Sequence, residues 1–441
     1  MRRRKSPIRR NIDWITVSLV VVLMFFGWIN ILSATSNIEL LDWLDWSGKG
    51  GKQLMWITIC FVLGFFIINI ESEFFIRTSV IQYILTLLLL IAVLVIGKKI
   101  GGARYWFDLG GFSLQPSEFA KPTTALILAW YLSRDATKWL SIKVRLVSLL
   151  LIGIPAGLIL LQPDAGTVLV FAGFIFVLYR EGLSGNVLII GLTVLLLSIA
   201  TILIGVTSFH YPYFGVGSGI GLFWIIWLIG GALVIYLFKE LSMPRRRKKF
   251  AVLSIISLFA GLIMSVGLHT GMEKILKPHQ KERIHVLFGI DVNNPDADYN
   301  IRHAKAAIGS GGLMGKGWMN GPMTAYSFVP EQETDFIFCT IGEEWGFVGS
   351  ASVIFLFTFL ILRVLIIAER QRSKFTRIYA YGVASILFMH LIINVGMVLG
   401  LAPVIGIPLP FFSYGGSSLI GFTFLITVLI RLDGERLSVL R

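Results

Sequence analysis

Runs of about 18 or more apolar residues recur from one end of this 441-residue chain to the other, and a run of that length crosses the hydrocarbon core of a bilayer as a helix. With 56% apolar residues, only 15% charged residues and a mean hydropathy of +0.80, a water-soluble fold is excluded. Length alone suggests about three domains, but the continuity of the apolar pattern predicts a single membrane domain over residues 1–441. The expected class is all-α, a polytopic helical bundle. No soluble domain, internal repeat or low-complexity tail interrupts it.

Stretches long enough to span centre near Leu23, Cys60, Leu88, Ile127, Pro155, Gly173, Leu195, Ile229, Phe259, Leu356, Phe388 and Phe424, about twelve in all. The first begins near Trp14 behind a basic start and lacks a small-residue cleavage site, so it reads as a retained span, not a signal peptide. An even count puts both termini on one side. With the tails 1–13 and 431–441 in the cytoplasm, the inner segments hold 25 Lys and Arg against five in the short outer ones. Seven more lie in one long outer segment, about 270–335, and long loops cross regardless of charge. This sidedness accounts for the net charge of +14 without nucleic acid. The densest inner marker, Pro244–Lys249, reads as a topology anchor, with contact to anionic lipid as the other reading.

The two cysteines, Cys60 and Cys339, sit in or against apolar runs and support neither a disulfide framework nor a zinc site. The histidines, at 210, 269, 279, 285, 303 and 390, show no metal-ligand spacing; no metal site is predicted, although acidic residues and a pyrophosphate could share a divalent cation. No cofactor is called for. His390, inside a span, reads as a hydrogen-bonded interhelical residue. Leu41–Lys52 repeats Leu and Trp with Asp, as a short interfacial amphipathic segment does. Gly309–Trp318 mixes turn-forming glycines with apolar residues that need burial, so the long outer segment is expected to be ordered. It misses the P-loop pattern, because Gly311 and Gly315 enclose three residues, not four, and Gly317 follows Lys316. Backbone amides and Lys316 cradling a phosphate, or loop packing alone, both remain open.

Charges inside apolar spans need a partner or a job. Glu118 and Lys121, three apart at the outer start of a span, share a helix face and can pair; either they neutralise each other between helices, or Lys121 also faces an anionic ligand. Asp164 lies in Gln162–Thr167, where an ordinary Pro-Asp turn is one explanation. The sharpest constellation is Phe328–Phe338, an acidic loop running straight into an apolar span with Asp335 at the junction. Asp335 either caps a helix start or is a partly desolvated proton acceptor reachable from outside. Pro403–Ser418 breaks the helix repeatedly, which is tolerated at membrane depth only in a protein-lined setting.

With these residues the chain resembles the SEDS family of shape, elongation, division and sporulation proteins, integral-membrane peptidoglycan glycosyltransferases typified by RodA and FtsW. The likeness rests on Ala103–Gly110, Gln115–Lys121, Gln162–Thr167, Ala307–Gly317, Pro330–Phe336, Glu343–Gly346 and Pro403–Ser417, all in family order; Gly315–Gly317 and the elongated loop look more like the RodA type. The resemblance implies polymerisation of lipid II into glycan strands outside a bacterial cytoplasmic membrane during cell elongation or division. It implies undecaprenyl pyrophosphate as leaving group, and a class B penicillin-binding protein as partner. It makes Asp335 the essential catalytic residue, and since an oxygen nucleophile needs a nearby proton acceptor, a general base is the role expected of it. It sets Glu118 and Lys121 as a membrane salt bridge near the catalytic cavity, and draws Asp164, Glu331 and Ser413 into the candidate substrate-binding set. Arg104, Lys121, Arg283 and Lys316 become candidates for holding the departing pyrophosphate. Two departures stand out. The family has ten spans, whereas a further hairpin is expected here at 218–268, and Gly321-Pro322-Met323 stands where Gly-Thr-Gln is common. A precursor flippase or transporter, with charge near the midplane, and a non-catalytic scaffold are the rival readings.

Overall fold

The structure is a computed structural model that describes residues 12–35, 48–100, 103–108, 110, 113–134, 141–206, 208–211, 215–241, 244–274 and 295–436. The first half contains α1 (Trp14–Thr35), α2 (Lys49–Asn69), α3 (Ser72–Ile96), β1 (Lys98–Ile100), β2 (Ala103–Asp108), β3 (Ser113–Leu114), α4 (Pro116–Arg134), α5 (Ile142–Leu161), α6 (Ala165–Ala172) and α7 (Phe174–Arg180). Next come α8 (Gly185–Val206), β4 (Ser208–Tyr211), β5 (Gly215–Ser218), α9 (Ile220–Leu241) and α10 (Pro244–Lys274). The chain closes with α11 (Pro295–Ser310), α12 (Pro322–Ala325), α13 (Ile337–Glu344), α14 (Gly346–Glu369), α15 (Lys374–Val398) and α16 (Gly416–Gly434).

The predicted single domain divides into two compact units, one formed by Met1–Leu183 with Tyr299–Arg441 and the other by Ser184–Asp298. In the first unit α4 is nearly enclosed, packed against α3, α5, α15 and α16. Helices in lipid gain nothing from leaving water, so close packing and interhelical hydrogen bonds must hold them. Gly382 of α15 meets Ala125 of α4 so closely that an added Cβ would lie 3.0 Å from the Ala125 methyl. Outer helices turn Phe65, Phe66, Leu88, Val95 and Leu160 outward, the surface a bilayer solvates.

Polar contacts sort the first unit into two ends. At one, Asp13 pairs with Arg363 at 2.6 Å, Arg370 bridges toward Asp13 and Asp433, Ser72 meets Glu435, and Arg180 reaches Glu369 at 3.1 Å. Residues from the expected inner segments 1–13, 72–78, 178–184, 369–378 and 431–441 therefore share that end. At the other lie β1–β3, Asp164, the 311–336 loop and the unwound 403–415 segment. The all-α expectation omitted two small antiparallel sheets, β1-β2-β3 and β4-β5. In the first, aromatic side chains of β2, a residue type that suits pleated backbone, sit opposite the other strands, with Trp106 across from Lys98 and Phe107 from Leu114.

The second unit joins α8, β4, β5, α9 and α10. Ser265 of α10 accepts from Trp224 Nε1 of α9 and Thr201 Oγ1 of α8, each at 3.0 Å. The expected hairpin 218–268 falls on α9 and α10.

Among the described residues nine helices are long and apolar enough to cross a membrane: α1, α2, α3, α5, α8, α10, α14, α15 and α16. The other three of the twelve expected centres lie on α4, which carries Glu118 and Lys121, on the α6–α7 pair divided at Gly173, and on α9, apolar over Ile220–Leu233. Of the outer segment 270–335, residues 275–294, and Arg283 with them, lie outside the described residues. Residues 295–335 of that segment are ordered, with α11 burying Ile301, Ala304 and Ala307. Most of Leu41–Lys52 also lies outside the described residues; its last four open α2.

Candidate active site

Asp335 stands at the end of a tight loop between α12 and α13. Glu331 takes a left-handed conformation (φ +56°), and its carbonyl accepts from Thr334 N at 3.1 Å and Phe336 N at 3.2 Å. Buried Val329 and Phe336 anchor the loop on either side. Helix α13 starts at Ile337 with Phe336 as N-cap and without a side-chain cap, so Asp335 does not cap it and the capping alternative is set aside. No hydrogen bond reaches the Asp335 carboxyl among the described residues. Burial, reinforced by the negative charges of Glu331, Asp164 and Glu333, pushes its pKa up to about 7. The side chain is nonetheless only half-buried, and so it is a carboxyl poised between its two protonation states with a route to the surface.

The approach to it is shaped by the unwound segment. Gly406 has φ +73°, and a Cβ there would lie 3.0 Å from Asp335 Oδ2; glycine keeps that space clear. Behind the loop, Asn394 of α15 donates from Nδ2 to the Asp335 carbonyl at 2.8 Å and to the Ile407 carbonyl at 2.7 Å. Asp164 caps α6, accepting from Thr167 N at 3.0 Å and Thr167 Oγ1 at 2.8 Å, and receives Gln115 Nε2 at 3.2 Å. The turn expected there exists, with a capping role added. Tyr105 of β2 belongs to the same acidic patch: burial, then Asp164, with Asp335 and Glu331 adding to it, raises its phenol. Glu333 is paired with Lys49 of α2, and the two line a cavity of about 290 Å³ with Ser33, Thr35 and Ser327.

The remaining candidates are distributed differently. Lys121 donates to both oxygens of Glu118, at 2.9 and 2.8 Å, and to His390 Nε2 at 3.0 Å. His390 Nδ1 faces the Pro408 carbonyl at 3.1 Å; a carbonyl only accepts and an ammonium only donates, so the ring is neutral with its proton on Nδ1. Lys121 and Glu118 are 1% and 3% exposed. All three Lys121 donors are thus engaged inside the protein, the geometry of a self-neutralising pair on α4 closed by His390 of α15. Lys316 pairs with the buried Glu343 at 3.0 Å. Glu343 in turn accepts from Met323 N, Thr324 N and Thr324 Oγ1 at 3.0, 2.8 and 2.7 Å, which makes Lys316 part of the loop's packing. Gly315 (φ +78°) presses on the Glu344 carbonyl, 2.1 Å from where a Cβ would stand, and so the turn needs glycine. Arg104 is exposed and donates to the Val95 carbonyl at 3.0 Å. Glu331 is exposed, whereas Ser413 is buried and accepts from Leu409 N at 2.8 Å, holding the unwound segment.

Sequence reasoning did not single out Asn394, Tyr105, Lys49 or Glu343. For Asn394 a signal was present: an amide one helical turn after His390 puts two polar groups on one face of an apolar span. No three His, Cys, Asp or Glu side chains converge as a metal site among the described residues.

Comparison with known proteins bears on this geometry. A family model described as cell cycle protein, of the FtsW, RodA and SpoVE type, matches residues 13–213 and 248–437. The peptidoglycan glycosyltransferase MrdB of Escherichia coli is 34% identical over 339 residues, 77% of this chain and 73% of that protein. The peptidoglycan glycosyltransferase RodA of Treponema pallidum is 31% identical over 380 residues, 83% and 86% of the two chains. Among solved structures, a chain from a peptidoglycan synthase complex that coordinates polymerization and crosslinking superposes with a TM-score of 0.67 at 25% identity, covering 96% of this chain and 98% of that one.

Proposed function

The chain belongs to the FtsW, RodA and SpoVE family of cell cycle proteins, and from that premise we propose how its Asp335 end performs the family's chemistry. The protein is a multi-pass helical membrane protein of bacterial type and a peptidoglycan glycosyltransferase of the RodA and MrdB type, serving cell elongation. Its substrate is lipid II, its product a glycan strand, and a class B penicillin-binding protein is its partner. Both termini face the cytoplasm and Asp335 faces outward; the excess of Lys and Arg in the inner segments supports this orientation.

The observation that carries the mechanism is the Asp335 carboxyl itself, half-buried, with no hydrogen bond from a described residue and a pKa near neutrality. Asp335 removes the proton from the 4-hydroxyl of the acceptor sugar as that oxygen bonds to C1 of the donor. The C1–O bond to the donor's lipid pyrophosphate breaks, its electron pair leaves with undecaprenyl pyrophosphate, and the configuration at C1 inverts. Developing negative charge on the pyrophosphate needs a cation. Of the four candidates, Arg104 is exposed on β2 beside Tyr105, Lys121 and Lys316 are engaged with Glu118 and Glu343, and Arg283 lies outside the described residues. Arg104 and Arg283 therefore remain for the leaving group. A divalent cation could share that charge.

A transporter would keep charge available along a passage through the membrane; the buried Glu118, Lys121 and His390 are instead closed on one another. The purified chain given lipid II in detergent, where no second leaflet exists, tests this function. Glycan ladders are expected, and their absence with folded protein and its transpeptidase present would return the reading to transport or scaffolding.

A further inference from the structure

With no donor on its carboxyl among the described residues, Asp335 takes its direction from the backbone that carries it. That backbone has a side-chain anchor in Asn394, whose two N–H groups are divided between the carbonyls of Asp335 (2.8 Å) and Ile407 (2.7 Å). Asn394 is fully buried, and its Oδ1 has no hydrogen-bond partner among the described residues. An orphaned acceptor in a helical core is costly, and an aliphatic side chain would fill the same space without it. One turn earlier on α15, His390 holds the adjacent Pro408 carbonyl at 3.1 Å and is itself held by Lys121. Two polar rungs of one helix thus fix the unwound segment, and the second of them also grips the loop bearing Asp335. Gly406, next to the gripped Ile407, is the residue whose missing Cβ leaves room beside Asp335 Oδ2.

We propose that Asn394 is a positioning residue for the glycosyl transfer: by tying the Asp335 carbonyl to the Ile407 carbonyl it sets the gap between the loop and the unwound segment, and with it the direction in which the carboxyl meets the acceptor hydroxyl. The inference rests on the reading of Asp335 as the base. The charged and titratable groups facing that carboxyl are Glu331 and Glu333 from its own loop, the latter paired with Lys49 of α2, Asp164 at the start of α6, and Tyr105 of β2. Releasing the loop admits water among them, which eases ionisation of Asp335. A residue that only stabilised the fold would leave that ionisation where it is.

The test uses the full-length chain as Asn394→Leu and Asn394→Ser, each taken from its monodisperse size-exclusion peak, with Asp335→Asn alongside. The readouts are kcat and KM for lipid II across pH. Asn394→Leu is expected to lower kcat by about 100-fold, as misplacement by about 1 Å does, with KM nearly unchanged and the acid limb of the rate profile moved to lower pH. Asn394→Ser, which keeps one donor and adds no charge, moves both in the same direction by less, and carries the test alone if the leucine variant does not fold. The proposal is overturned if a folded variant keeps the wild-type kcat, or loses kcat with the acid limb unmoved, while Asp335→Asn is inactive. An active Asp335→Asn enzyme would instead overturn the assignment of the base.

Discussion

Asp335 is expensive to ionise where it stands, and that is what suits it to accept a proton. A carboxylate at its ordinary value of 3.8 would be a weak base at neutral pH; burial and three acidic neighbours bring Asp335 to about 7. The sign follows directly. The base acts when ionised, so initial rates of strand formation should fall up to tenfold per pH unit below about 7 and level off above it. A limb centred near 4 would contradict the burial argument. Stability runs the other way: the raised value favours the protonated form in the folded state, a contribution present below the ordinary value and lost as pH rises through 7. Glu344 is also pushed up to about 7, chiefly by burial, but it lies under Ser33 of α1, so replacing it with Gln should leave the limb in place. The sequence revealed an acid at a polar-to-apolar junction. It could not reveal that the loop turns back at Glu331 and leaves Phe336, not Asp335, at the cap, because local capping rules do not see the tertiary contacts that close the loop.

At the scale of elements, α4 and α15 form the frame on which the site is hung. Spacing of three along α4 was enough to predict that Glu118 and Lys121 meet. Their third partner, His390, is 269 residues away, and no periodicity within one helix reaches that far. Removing one member of such a pair leaves a bare charge in the core. Lys121→Met should cost about 3–5 kcal/mol, whereas Glu118→Gln with Lys121→Met should cost clearly less. Thermal midpoints in one detergent, with Glu118→Gln alone completing the cycle, check this, and a double loss equal to the sum of the two single losses would mean that the two side chains are not coupled. The glycine-rich stretch was legible as an ordered turn and not as a nucleotide loop; its dependence on Glu343 was hidden, since an acidic residue in a helix announces no particular partner. The small β1-β2-β3 sheet escaped notice because strands of two to six residues leave little alternation to read.

Across the whole molecule, charge was the most legible property. Within the first unit, residues of five segments counted as inner, 1–13, 72–78, 178–184, 369–378 and 431–441, meet at one end, and the Asp335 loop lies at the other, since alternate helices reverse direction and each connection inherits its end. The family match passes over residues 214–247, which hold α9 and the first turn of α10, the first half of the expected hairpin. What no linear pattern could supply is the convergence of β2, the start of α6, the 331–336 loop and the 403–413 segment on one carboxyl. The account stands or falls on that group. Its most direct test is the glycan product made from lipid II by equal amounts of folded wild-type protein and Asp335→Asn. The wild type is expected to give a ladder of strands and the variant none. A ladder from the variant comparable to wild type would contradict the assignment of Asp335 as the base.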